Sequence, residues 1–427
     1  MARELPPGAA FYRHGLRRMT GRDIREHHRP ASSLELLFDL TFVAAFSVAG
    51  GQLAHGVAGG HAGSAVVAFA VCMLSIIWAW VNYSWFASAF DTDDWLFRLL
   101  TLVQMAGVVV LAIGIPQLFE SVEHGEHLHA PVMVFAYVVM RVALIAQWLR
   151  SAGDPRYRAA AISYAVTVGL AQVGWILLIV VLDLPLVASL VCMALMWGLE
   201  LTGPLLAERK SAAEHGGTPW HPHHIAERYS LLTIITLGES VVGTLAAAQE
   251  ISANVGWSFD TVVVIAAGLS MSFALWWTYF LLPSGPVLAA RRQKVNGWAY
   301  GHIPMLAAIA AVGAGLHVVG FAYKPEAHVS TLTTILAITL PELVYLVGLY
   351  LVYAYLVSGV PRSVAHLTMT VLPVLAIVGA ALGWPLWVCL LVAVAGPVTL
   401  VVSYEVWEWR PLAAQLDRAV GSRTDRD

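Results

Sequence analysis

Twelve apolar stretches follow one another along this chain, each about 20 residues long and so able to cross the hydrocarbon core of a bilayer as a helix. They fall at 34–55, 64–85, 98–118, 130–149, 159–181, 185–206, 229–248, 259–281, 300–320, 331–355, 366–383 and 385–403. The last two are parted only by Gly383, Trp384 and Pro385, so their separation is the weakest point of the count. No period-2 alternation runs through them, which argues for helices and excludes an outer-membrane barrel. Only 12% of the 427 residues are charged, against roughly 25% in a soluble domain. The expected fold class is therefore all-α: a polytopic transmembrane helical bundle of about twelve spans.

Charge sets the expected topology. With twelve spans and an inner amino terminus, 22 of the 24 Lys and Arg residues fall in segments on one side, leaving Arg141 inside span 4 and Lys324 outside. Such a bias is what the positive-inside rule predicts, and it places both termini in the cytoplasm of a cell bounded by this membrane. Residues 1–33 hold seven arginines without an apolar core, which suits a cytoplasmic arm rather than a cleavable signal peptide. That arm can also touch anionic lipid heads. A net charge of −3 makes no case for nucleic acid. Cys72, Cys192 and Cys389 all lie within spans and read as small core residues.

The longest hydrophilic interval, 207–228, divides the chain into halves at 34–206 and 229–403, followed by a tail at 404–427. A weak internal repeat is expected across it. Glu35-Leu36-Leu37-Phe38-Asp39 opens span 1, and Glu227-Arg228-Tyr229 precedes span 7. Aromatic runs close spans 2 (Trp78, Trp80, Tyr83, Trp85, Phe86) and 8 (Trp276, Trp277, Tyr279, Phe280). Glu200 closes span 6, and Glu405 closes span 12. Six spans return the chain to its starting side, so the repeat would be parallel. The plainer reading stays open: aromatics mark interfaces and acids mark helix ends.

Acids inside spans are the best pointers to function, because a charge at such depth is costly and usually lines a path or a site. Glu35 and Asp39 share a helical face, where two like charges resist joint ionisation. Glu35 can equally serve as a cap after Ser32 and Ser33. Glu239 lies twelve residues past Glu227, about 18 Å further along a helix. It must be protonated, paired with a base such as Arg141, or facing a polar cavity. His224, Glu227 and Arg228 form a polar cluster on one face, and Gly238 and Gly243 would admit a close neighbour. His302, near Pro304, and Glu342, after Pro341, mark two further interrupted spans. Arg141 is the expected counter-charge for one of these acids. His221, His223 and His224 match no zinc spacing and read as exposed loop residues. A second histidine–acid patch gathers His124, His127 and His129 with Glu120, Glu123 and Glu126. No catalytic residue, metal site or cofactor is assigned, since nucleophile-elbow, phosphate-loop and dinucleotide signatures are all missing.

Three of these stretches together resemble one family. Glu35 to Val43 is similar to the opening motif of the bacterial low-temperature-requirement A (LtrA) family. His224 to Tyr229, running on to Leu237-Gly238-Glu239-Ser240, resembles its second motif, and Tyr300-Gly301-His302-Ile303-Pro304 a third. Tyr229 stands where that family commonly has phenylalanine. The resemblance implies a multi-span integral membrane protein and supplies no substrate.

The leading functional expectation is a transporter or permease for an unknown small solute or ion, coupled to protons through Asp39, Glu239, Glu35 and Glu342, with two six-helix halves around a central path. The alternatives are a membrane-embedded enzyme acting on a lipid-soluble substrate, with His224, Glu227, Glu239 and His302 as acid–base groups, and a sensor or structural membrane protein. Membrane lipids are the expected surroundings, and homo-oligomerisation is left open.

Overall fold

The computed structural model describes residues 15–24, 26, 29–182, 184–215, 217–324, 329–359 and 364–421. These fold into helices, with no named strand among them: α1 (Ser33–Ala58), α2 (Ala62–Phe90), α3 (Trp95–His124), α4 (Pro131–Ser151), α5 (Arg158–Ile176), α6 (Leu186–His215), α7 (Pro222–Val255), α8 (Phe259–Phe280), α9 (Ser284–Ala290), α10 (Val295–Phe321), α11 (Thr331–Val357), α12 (Val364–Ala381), α13 (Leu386–Ser403) and α14 (Trp409–Gly421). Twelve are long and apolar enough to cross a membrane; α9 and α14 are the short additions. The all-α, twelve-span expectation therefore holds. So does the separation of the last pair. Gly383 adopts φ +84°, the left-handed conformation that glycine tolerates, and the Trp384 amide closes the turn on the Gly379 carbonyl at 2.9 Å. Pro385 then precedes α13.

Several spans outrun their apolar runs. Helix α7 starts at Pro222 rather than near residue 229, because proline suits a first helical turn and the polar residues that follow are largely buried inside the protein. Helix α6 continues to His215, so the hydrophilic interval 207–228 is mostly helix; the side chains of residues 210–215 lie outside the described set.

The helices group into two compact units. The first contains the chain through Thr41, Ala79–Gly114 and Glu126–His221; the second contains Phe42–Trp78, Ile115–Gly125 and the chain from Pro222 onward. Helices α1, α2 and α3 each contribute to both.

In the first unit, loop carboxylates organise the basic arm. Arg150 and the backbone N–H groups of Arg17 and Phe97 all donate to Asp94, while Gly21 N–H donates to Asp154 at 3.0 Å. Burial alone would raise Asp94, yet Arg150 and those amides hold it well below the usual carboxylate range. Arg29 donates to the Ala87 and Ser88 carbonyls at the end of α2. The described part of the arm is thus docked on the protein through the loops after α2 and α4.

In the second unit, small residues bring backbones together. A methyl built on Gly243 of α7 would lie 2.0 Å from the Gly313 carbonyl oxygen of α10, and one on Gly315 would lie 2.3 Å from the Ala337 carbonyl of α11. Within a bilayer, close approach of this kind replaces the hydrophobic effect as the source of helix–helix contact. Gly243 plays the part expected of it. Gly238 does not, for a methyl there would meet open space.

Candidate functional site

The first unit contains a buried acid whose requirements are fully met. Glu200 of α6 accepts from Arg141 (3.0 Å) and the Tyr137 hydroxyl (2.7 Å) at one oxygen, and from Gln172 (3.2 Å) and Trp175 Nε1 (3.1 Å) at the other. Arg141 and Glu200 are both 1% exposed, and the guanidinium also lies over the Tyr137 ring. A carboxylate this deep persists because each of its oxygens accepts two donors, one of the four from a cation. The counter-charge role expected for Arg141 thus goes to Glu200, an acid the sequence had marked only as the close of span 6.

At the start of α1, Glu35 and Asp39 share the buried face while Leu36, Leu37 and Leu40 point outward. Glu35 completes a capping box: its carboxylate accepts from Ser32 N–H at 2.8 Å, and its own N–H donates to the Ser32 hydroxyl. One turn further in, Asp39 is fully buried and accepts from Trp80 Nε1 at 2.6 Å. The neighbouring Phe38 stacks on Tyr83. The capping reading of Glu35 is realised in this geometry, and Asp39 is the deeper group.

In the second unit, Glu239 of α7 is only 6% exposed and accepts from the Ser47 hydroxyl at 2.7 Å. No lysine or arginine of the described residues forms an ion pair with it. Beside it, Ser240 meets the Ser272 hydroxyl of α8 at 2.7 Å. His302 is buried in α10, with Nδ1 2.7 Å from the Trp298 carbonyl and Nε2 3.1 Å from the Tyr279 hydroxyl, which also faces the Ser230 and Thr233 hydroxyls. Tyr229, Trp298 and Tyr279 surround its ring. The position is a polar junction of α7, α8 and α10 rather than a helix-end cap. Glu342 of α11 is fully buried, and neither carboxyl oxygen has a hydrogen-bond partner among the described residues.

The polar cluster at the start of α7 is deeper than expected. His224 and Arg228 are fully buried, and Glu227 is half-buried. His221, expected to be an exposed loop residue, is buried, with its N–H bonded to the Ser88 hydroxyl and Nε2 2.9 Å from the Glu26 carbonyl. His223 is exposed. His224 faces inward because Pro222 begins the helix two residues before it and sets it on the buried side of α7, whereas His221 precedes the helix and is held by Ser88 and Glu26.

Two polar pockets include residues the sequence reading missed. Beside the first turn of α1, a cavity of about 280 Å³ is lined by Arg22, Glu26, Arg29, Pro30, Ser32, Glu35 and Asp91. Asp91 lies in the loop after α2, where burial, and next the Glu35 carboxylate, push it up to about 6. The histidine–acid patch around His124, Glu120 and Glu123 gains His55 and His61 around a cavity of about 470 Å³, and His61 pairs with Glu123 at 2.9 Å. Chain proximity alone offered no signal for either grouping, since each joins loops or helix ends far apart in sequence.

Glu200→Gln leaves Arg141 buried without an anion and lowers stability by about 3–5 kcal/mol, measured by thermal unfolding in detergent. A Glu200→Gln protein as stable as the wild type would remove the structural role of the pair. Asp91 predicts a pH effect of defined sign. Its folded value lies above the ordinary one of about 4, so its stabilisation is complete below that pH and is lost as pH rises through about 6. Asp91→Asn therefore flattens the decline in thermal stability between about pH 4 and about pH 6; an unchanged profile contradicts the assignment.

Comparison with known proteins agrees with this architecture. Residues 30–403 match the family described as bacterial low temperature requirement A protein (LtrA). An uncharacterized protein of Rhizobium meliloti (strain 1021), RA0937, is 26% identical over 316 residues, covering 67% of this chain and 68% of that protein. No solved structure matches the chain. The matched region takes in every span from α1 to α13 together with Asp39, Glu239, His302 and Glu342, and the chain belongs to the LtrA family of bacterial membrane proteins.

Proposed function

We propose that this protein is a transporter whose span-buried acids couple the movement of protons to that of a small solute or ion. The observation that carries the reading is the contrast between two acids of one chain. Glu200 has a cation and three further donors, whereas Glu239, almost as deeply buried, has among the described residues a single serine hydroxyl. An ionised carboxylate without a counter-charge costs several kcal/mol in hydrocarbon. A group built only for packing would carry the partners that Glu200 has. Glu239 is instead suited to gaining and releasing a proton as its surroundings change, with Ser47 holding the carboxyl in place.

Asp39, anchored by Trp80, and Glu35, one turn nearer the helix start, take the same role on α1. Both α1 and α7 open their set of six spans with an embedded acid, which favours a parallel 6+6 repeat. His302 and Tyr279, joined through Nε2 and the hydroxyl, form a short hydrogen-bonded relay beside α7. The arginine-rich segments argue for cytoplasmic termini.

The test is reconstitution of the full chain into liposomes carrying an internal pH dye. Wild-type protein is expected to dissipate an imposed pH gradient, and Glu239→Gln to abolish that flux while remaining folded and monodisperse. Undiminished flux in Glu239→Gln and Asp39→Asn contradicts the coupling role. Turnover of a lipid-soluble substrate in detergent, with no gradient present, would favour an enzyme instead.

A further inference from the structure

Helices α11, α12 and α13 of the second unit converge on one buried carboxyl. A methyl built on Gly396 of α13 would lie 3.2 Å from Glu342 Oε1 and 3.1 Å from the Pro373 ring of α12. The three segments therefore meet where Gly396 has no side chain, and the Glu342 carboxyl reaches that meeting point. Both of its oxygens are buried without a hydrogen-bond partner among the described residues. Each helix also carries a proline within one residue of this contact: Pro341, Pro373 and Pro397.

A proline inside a helix removes the donor for the carbonyl four residues earlier. Helix carbonyls point toward the residue that would have bonded them, so the Met369 carbonyl is directed at Pro373 and the Ala393 carbonyl at Pro397. By helix geometry each freed carbonyl lies within about one turn of the carboxyl. The Ala337 carbonyl released by Pro341 faces Gly315 of α10 and is not counted. The niche thus gathers acceptors: a carboxylate and two backbone carbonyls. Acceptors without donors suit a dehydrated cation and disfavour an anion. One carboxylate balances one positive charge, so a monovalent ion leaves the site neutral and a divalent ion would not.

A cavity lies one turn away from this carboxyl on the same three helices. A small cavity of about 40 Å³ is lined by Leu346, Met369 and Leu400, together with Tyr350, His366 and Tyr404. Leu346 lies one turn past Glu342, Leu400 one turn past Gly396 and Met369 one turn before Pro373. Because α12 runs opposite to its two neighbours, all three displacements point the same way, about 6 Å along the bundle. Beyond this apolar collar, His366 Nε2 lies 3.1 Å from the Tyr404 hydroxyl, and the Tyr350 ring packs on His366. Leu412 of α14 lines the far side, and α14 is tied to α11 by the Tyr353 hydroxyl donating to Gln415 at 2.7 Å.

We propose that Glu342, with the Met369 and Ala393 carbonyls, forms a binding site for one dehydrated monovalent cation of the sodium class, reached past the Leu346–Met369–Leu400 collar from the cavity under α14. The proposal deepens the transport reading by naming the ion at Glu342, but its test is equilibrium binding and requires no flux.

The experiment uses full-length protein purified in detergent in sodium-free choline buffer, titrated with radiolabelled sodium, with thermal stability followed in parallel. Wild-type protein is expected to bind sodium saturably and equimolarly and to gain thermal stability on binding. Glu342→Gln is expected to lose both responses. Gly396→Ala keeps the carboxylate but crowds its oxygen, and is expected to weaken binding; it decides the matter if Glu342→Gln does not fold. Folded wild-type protein that shows no saturable sodium binding, or a stability that responds to pH but not to sodium, overturns the site. So does binding that survives both substitutions. Absent sodium binding alongside an intact Glu239-dependent proton flux rejects this site alone and leaves the transport reading standing.

Discussion

Everything distinctive in this protein turns on how a carboxylate survives where water is scarce. Removing a charge from water costs far more than a single neutral hydrogen bond returns. A buried acid must therefore take a cation, take a proton, or gather donors. Different acids of this chain meet that demand in different ways. Glu200 gathers Arg141, Tyr137, Gln172 and Trp175 and is held in place by them. Glu35 uses the start of α1, where its carboxylate satisfies a backbone amide and lies at the favourable end of the helix dipole. Glu239 has one hydroxyl, and Glu342 has no bonded partner among the described residues.

That gradation links packing to function. The pair at Arg141 and Glu200 ties α4 to α6, with α5 contributing Gln172 and Trp175, so its chemistry is spent on holding three helices together. Around Glu239 and Glu342 the fold comes from backbone approach instead: Gly243 against Gly313, Gly315 against Ala337, and Gly396 against Pro373. Neither acid is needed to bond these helices together, which leaves both available for an ion or a proton.

Hydropathy made the spans legible because the bilayer imposes one length on every helix that crosses it. It could not mark where α7 and α10 begin, since their first two turns carry His224, Arg228 and Trp298, which are polar or amphipathic yet buried in the protein. Helical spacing placed Glu35 and Asp39 on one face, and the capping pattern of Ser32 and Glu35 was readable in advance. The partner of Arg141 was not, because pairing between helices far apart in sequence depends on packing that a single sequence does not display. The same limit hid Ser47 beside Glu239 and the convergence of Pro373 and Gly396 on Glu342. Proline positions were the available signal for that convergence, and only three helices seen together give them meaning.

On the reading proposed above, Glu239 and Glu342 are neutralised by a proton or a bound ion, while Glu200 is neutralised by the protein itself. Infrared difference spectroscopy of the protein in lipid bilayers, in sodium-free buffer, reads protonated carboxyl groups directly. A protonated-carboxyl band is expected that loses intensity in Glu239→Gln and again in Glu342→Gln, and that Glu200→Gln leaves unchanged. A spectrum in which neither Glu239 nor Glu342 contributes to that band would mean that both are ionised with partners of their own, and would contradict that reading.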